Sequence, residues 1–164
     1  MTTDIADPLS MPVSQLQEAL AEEFPGRERE WTGKVDRALG AVENGLRQHA
    51  GLAETPNGLF AGVDMRRPTY LRRLSGLRLE LSDFSREVRD LRERVRQAGQ
   101  AFRPAHELLD GLDGMPPPAA RRGVPHFGEL RDVVADFLGR LHQHCEEETR
   151  IVLESVTTDI GAGD

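Results

Sequence analysis

Apolar residues recur along this chain at steps of three and four, the spacing that places side chains on one face of an α-helix. Four such stripes are present. Val13, Leu16, Leu20 and Phe24 form a short one that opens after Pro12 and stops at Pro25-Gly26. Val35, Leu39, Val42, Leu46 and His49 form a second, with Trp31 anchoring its start and a Gly- and Pro-containing region around Gly51, Pro56 and Gly58 closing it. The third begins at Pro68-Thr69 and runs through Leu74, Leu77, Leu81, Phe84, Val88, Leu91 and Val95. The last runs through Leu130, Val134, Phe137 and Leu141, passes His144 and Glu148, and resumes at Ile151, Val152 and Ser155. Helices over about 70–97 and 128–158 would each be roughly 40 Å long at 1.5 Å per residue.

The predicted fold class is all-α: an antiparallel up-and-down four-helix bundle with one short N-terminal helix and three longer ones. Residues 1–10 read as a disordered N-terminus and 11–164 as one domain. Within it, 100–125 is a Pro-rich crossing loop containing Met115-Pro116-Pro117-Pro118, with room for a short helix at 105–109. Gly40 and Gly45 lie inside the second stripe and weaken that helix by about 1 kcal/mol each relative to Ala, so close packing is expected to hold it.

Composition supports this picture. Apolar residues are 38%, charged residues 30% and aromatic residues 5%, a balance suited to helices with charged outer faces. The net charge of -7 argues against nucleic acid, which requires a concentrated cationic face. The arginines of the third stripe alternate with acids and read as a solvated face. No apolar run reaches the length of a membrane span, and the first residues lack the pattern of a secretion signal. A cytoplasmic protein with no membrane partner is therefore expected. Cys145 is the sole cysteine, which excludes an intrachain disulfide, and it reads as a small apolar group.

The chemistry sits where the stripes turn polar. His144 and Glu148 are one helical turn apart on the face that otherwise carries Leu and Val, and the second stripe also ends on an imidazole, His49. Buried groups of this kind are costly unless satisfied. Imidazole and carboxylate suit iron, zinc or manganese, and bundle interiors are where such sites are built. Glu54 follows His49 and adds a carboxylate. A buried imidazole hydrogen-bonded to a carboxylate, with no metal, is the competing reading.

His49 with Glu54 and Gly58-Leu59-Phe60, then Leu77-x-x-Glu80, then Leu141-x-x-His144-x-x-x-Glu148, resembles the hemerythrin-like (HHE) family. The ending Val152-Leu153-Glu154-Ser155 through Asp159-Ile160-Gly161 and Asp164 is similar to the tail of bacterial members. The resemblance spans roughly residues 31–164. It implies a four-helix bundle with a non-haem di-iron centre held by His and carboxylate ligands, and roles in oxygen binding, oxygen or nitric oxide sensing, or iron handling. The chain departs from the pattern in three places. The family's third-helix Glu-His is Glu80-Leu81, the first helix has no histidine, and the interval from His49 to Glu54 is five, which turns Glu54 about 140° from His49 on a continuing helix.

Two functions follow as expectations. The first is binding of non-haem iron, mononuclear or dinuclear, through His49, Glu54, His144 and Glu148 with Glu80 as a further donor. It would serve oxygen, nitric oxide or redox sensing or storage, the partner being the metal ion or a small diatomic ligand. The second is a metal-free interaction or structural domain, without cofactor and with an unidentified protein partner. No acid/base set or activated nucleophile suggests an enzyme.

Overall fold

The computed structural model of the chain describes residues 7–53, 55, 58, 60, 63, 67–101 and 126–160, and of residues 156 and 158–160 the backbone only. Within these the chain is all-helical, with no strand. The helices are α1 (Ser10–Ala21), α2 (Glu28–Ala53), α3 (Pro68–Ala101) and α4 (Phe127–Ile160). None of them is long and apolar enough to cross a membrane. The Pro-rich crossing lies outside the described residues apart from Gln100 and Ala101, which extend α3 beyond its predicted end.

Local chemistry explains the boundaries. At the start of the described residues the Asp7 carboxylate accepts from the Leu9 amide at 3.0 Å and its carbonyl from the Ser10 hydroxyl at 3.0 Å. Leu9 is 1% exposed, so the segment expected to be a loose tail joins the core from residue 7 onward, while residues 1–6 lie outside the description. The chain leaves α1 at Glu22 in extended conformation and turns at Gly26, whose φ of +82° suits a residue without a Cβ. Glu28 and Glu30 then place negative charge in the first turn of α2, where the helix dipole favours it. Pro68 begins α3, a position where its missing N–H costs nothing.

The four stripes face one interior. Leu16, Val35, Leu39, Val42, Leu46, Val88, Val95, Val134, Phe137 and Leu141 are fully or almost fully excluded from water. At one end, Trp31 donates from its indole to the Ala19 carbonyl at 3.1 Å, and its ring meets Phe24 at 4.9 Å and Phe127 at 6.3 Å. This fixes α1, α2 and the start of α4 around one aromatic cluster. Further along, Phe84 and Phe137 meet edge to face at 5.8 Å. A second, smaller cluster of Val63, Tyr70, Leu74, Leu77 and Ile151 lies beyond Leu46, Leu81 and Leu141.

Cross-helix contacts set the pairing. Thr32 on α2 lies against Gly99 on α3, Asp36 pairs with Arg92 and Arg96, and Glu43 pairs with Arg92 at 2.7 Å. Between α3 and α4, Arg73 bridges Glu147 and Glu154, and Glu87 pairs with Arg140. These ion pairs are partly solvated and contribute little to stability; they describe register more than strength.

Gly45 is needed for close approach. A Cβ there would sit 2.8 Å from the Pro8 carbonyl oxygen and 3.0 Å from Leu9, whereas at Gly76 it would meet nothing within 4 Å. Gly45→Ala should therefore destabilise the fold by about 1–3 kcal/mol through overpacking. Gly76→Ala should stabilise it by up to about 1 kcal/mol through helix propensity. Urea unfolding of the two variants checks both signs, and a stabilising Gly45→Ala would mean that the Pro8–Leu9 segment does not rest on α2.

Candidate functional site

The polar insert occupies the gap between the two apolar clusters. His144 and Glu148 project from successive turns of α4, and His49 enters from the end of the α2 stripe. All three are buried, at 2%, 3% and 8% exposure. An ionised carboxylate only accepts hydrogen bonds, so His49 Nε2 donates to Glu148 Oε2, at 2.8 Å. The other oxygen, Oε1, lies 3.3 Å from His144 Nε2. That second approach is not a hydrogen bond, and His144 Nε2 is a buried nitrogen without a hydrogen-bond partner.

The opposite edges of both rings turn toward carboxylates nearer the surface. His144 Nδ1 and Glu80 Oε2 are hydrogen-bonded at 3.0 Å, and the Glu80 side chain is 58% exposed. His49 Nδ1 is 3.8 Å from Asp7 Oδ1, a charge contact beyond hydrogen-bond range. Phe84 presents its edge or face to the His144 ring at 5.5 Å and 79°, which restricts the plane of the imidazole. A cleft of about 410 Å³ between α3 and α4 has Glu80, Phe84, Arg140 and His144 among its walls.

Electrostatics follow the geometry. Burial by itself would lower the His144 pKa, but the Glu148 and Glu80 carboxylates outweigh it and raise the value above the ordinary 6.5. Burial would raise the Glu148 pKa, but the two imidazoles outweigh it and lower the value below the ordinary 4.5. Both shifts favour the ion pair. Beside it, burial pushes the Cys145 thiol up to about 12, helped by the charges of Glu148 and Asp7, which makes it a poor nucleophile at neutral pH.

The sequence-predicted donors thus divide. His49, His144 and Glu148 come together. Glu80 reaches the group from outside, on the far edge of the His144 ring, and Glu54 lies outside the described residues. Leu81, at the position of the family's third-helix histidine, is buried in the larger apolar cluster. His142 is 63% exposed beside Glu146, as its angular distance from His144 implies. Asp7 was not anticipated; the signal was the Asp-x-x-Ser turn just before the first stripe. Among the described residues no group of three or more His, Cys, Asp or Glu is placed to hold a metal ion. The chemistry of the donors suits one, and the unpartnered His144 Nε2 is the kind of atom a cation would satisfy. In their present placement one Glu148 oxygen accepts from His49 and the other faces His144 Nε2 without a hydrogen bond.

Comparison with models of known families, with curated proteins and with solved structures finds no match to this chain. The hemerythrin-like resemblance accordingly rests on the residues quoted for it.

The pKa directions define a pH window. The raised His144 value gives stabilisation that is complete below 6.5 and lost as pH rises through the folded value. The lowered Glu148 value gives stabilisation that is complete above 4.5 and lost as pH falls through the folded value. The contribution of the pair is therefore greatest between these two ordinary values. Thermal unfolding across pH should show Glu148→Gln losing most stability in that window and less on either side; a uniform loss at all pH values would show that the ion pair is not the source.

Proposed function

We propose that the chain is a hemerythrin-like helical bundle, packed antiparallel in up-and-down order, that binds a divalent transition metal in the layer of His49, His144 and Glu148. Non-haem iron is the first candidate, and the role is sensing or storage of oxygen, nitric oxide or redox equivalents in the cytoplasm. The observation that carries this reading is the convergence of two imidazole Nε2 atoms on one buried carboxylate, one of those nitrogens having no hydrogen-bond partner. Two imidazoles with one carboxylate are a donor set used by non-haem iron. The antiparallel order is supported by the contacts between α2 and α3, in which Thr32, Asp36 and Glu43 meet Gly99, Arg96 and Arg92 in falling sequence order.

In this reading His49, His144 and Glu148 hold the metal, and Glu80 stays on the outer edge of the His144 ring. Iron held by these residues would supply affinity for a small diatomic ligand. For His49 to hold it, the Nε2 proton that His49 now donates to Glu148 would have to leave that nitrogen. A cleft lies beside the His144 ring, on the side of Glu80 and Phe84. The function in this reading is binding rather than catalysis.

A second reading, a metal-free interaction or structural domain, is favoured by one specific observation. No three donors among the described residues are gathered around a common point, and His49 and Glu148 already satisfy each other at 2.8 Å.

Metal analysis after anaerobic purification separates the two. The first reading expects on the order of one equivalent of iron or another transition metal per chain, lost in His144→Ala and Glu148→Ala. Metal-free protein that also fails to take up Fe(II) or Zn(II), with His144→Ala affecting only stability, would establish the second.

A further inference from the structure

Glu80 sits on α3, whose inward position in this layer is taken by an alkyl side chain, Leu81. The helix therefore adds no donor to the interior group, yet it touches His144 through Glu80. A neutral imidazole carries one N–H, and the two edges of the His144 ring compete for it. At Nδ1 a carboxylate oxygen lies at 3.0 Å in hydrogen-bonding geometry. At Nε2 a carboxylate oxygen lies at 3.3 Å without that geometry. Either tautomer sets one lone pair against a carboxylate oxygen. With the proton on Nδ1 the well-formed bond to Glu80 is made and the opposed contact is the longer one, at 3.3 Å. With the proton on Nε2 the opposed contact is the closer one, at 3.0 Å, and no well-aligned bond replaces it. Phe84 limits the ring's freedom to rotate away, and the ring is 1% exposed, so water does not replace either partner.

We infer that Glu80 is a positioning residue: by accepting Nδ1–H it holds His144 in the tautomer whose Nε2 lone pair points into the buried layer toward Glu148. A carboxylate on the outer edge of an imidazole is how the direction and basicity of a histidine donor are set. Glu80 is suited to this because it remains mostly solvated, so holding the ring does not require desolvating a second carboxylate. The consequence for metal affinity rests on the metal reading above; the tautomer itself does not.

Long-range proton–nitrogen spectra of the metal-free protein, recorded where the His144 ring is neutral, read the protonation of each ring nitrogen directly. The wild type should show the proton on Nδ1. Glu80→Ala, a change at an exposed side chain, should move it toward Nε2, where Glu148 is the remaining acceptor. Glu80→Gln should keep it on Nδ1, because the amide oxygen still accepts. Fe(II) and Zn(II) affinities should fall about 10- to 100-fold in Glu80→Ala and recover in Glu80→Gln. An Nε2–H wild type, or the same tautomer in Glu80→Ala as in the wild type, overturns the inference. A tautomer switch in a protein that binds neither ion supports the positioning role and defeats the metal reading instead.

Discussion

The constraint on which the rest depends is the burial of one carboxylate. Glu148 is 3% exposed, at the junction of two apolar clusters, and an unpaired charge there would cost several kcal/mol. It is tolerable because His49 arrives from α2 and His144 from one turn away on α4. His49 reaches it only when α2 and α4 are in register, so the layer penalises sliding of α2 against α4 in a way that interchangeable leucines do not. The hydrophobic stripes drive association, and the polar layer selects one alignment of it.

The outer partners extend this logic. Asp7 and Glu80 are half-exposed and flank the two rings, so a line of alternating carboxylates and imidazoles crosses the interior from the N-terminal segment to α3. Elements on every side of the bundle contribute to it. The glycine at position 45 belongs to the same arrangement, since the close approach of Pro8 and Leu9 to α2 is what brings Asp7 near His49. A small residue chosen against helix propensity thereby serves the placement of a charged one.

Such a layer is chemically undecided between proton and metal. The same atoms that hold protons between imidazole and carboxylate would, with the protons removed, be donors to a cation. The raised pKa of His144 and the lowered pKa of Glu148 both favour the paired state, and a metal must compete with it. Burial of Leu81 where the resemblance expects an imidazole removes one competitor for protons and one donor for a metal together.

The number and type of the helices among the described residues, and the inward placement of His49, His144 and Glu148, were legible in the sequence. Helical periodicity is a local property, and an imidazole in an apolar stripe must point where the stripe points. The identity of the partners was not legible. That His49 meets Glu148 across 99 residues, that Glu80 takes the outer edge of His144 rather than joining the layer, and that Asp7 belongs to the folded part all depend on how far helices slide and rotate against one another. Those quantities are fixed by packing between elements distant in the chain, and periodicity within one helix carries no information about them.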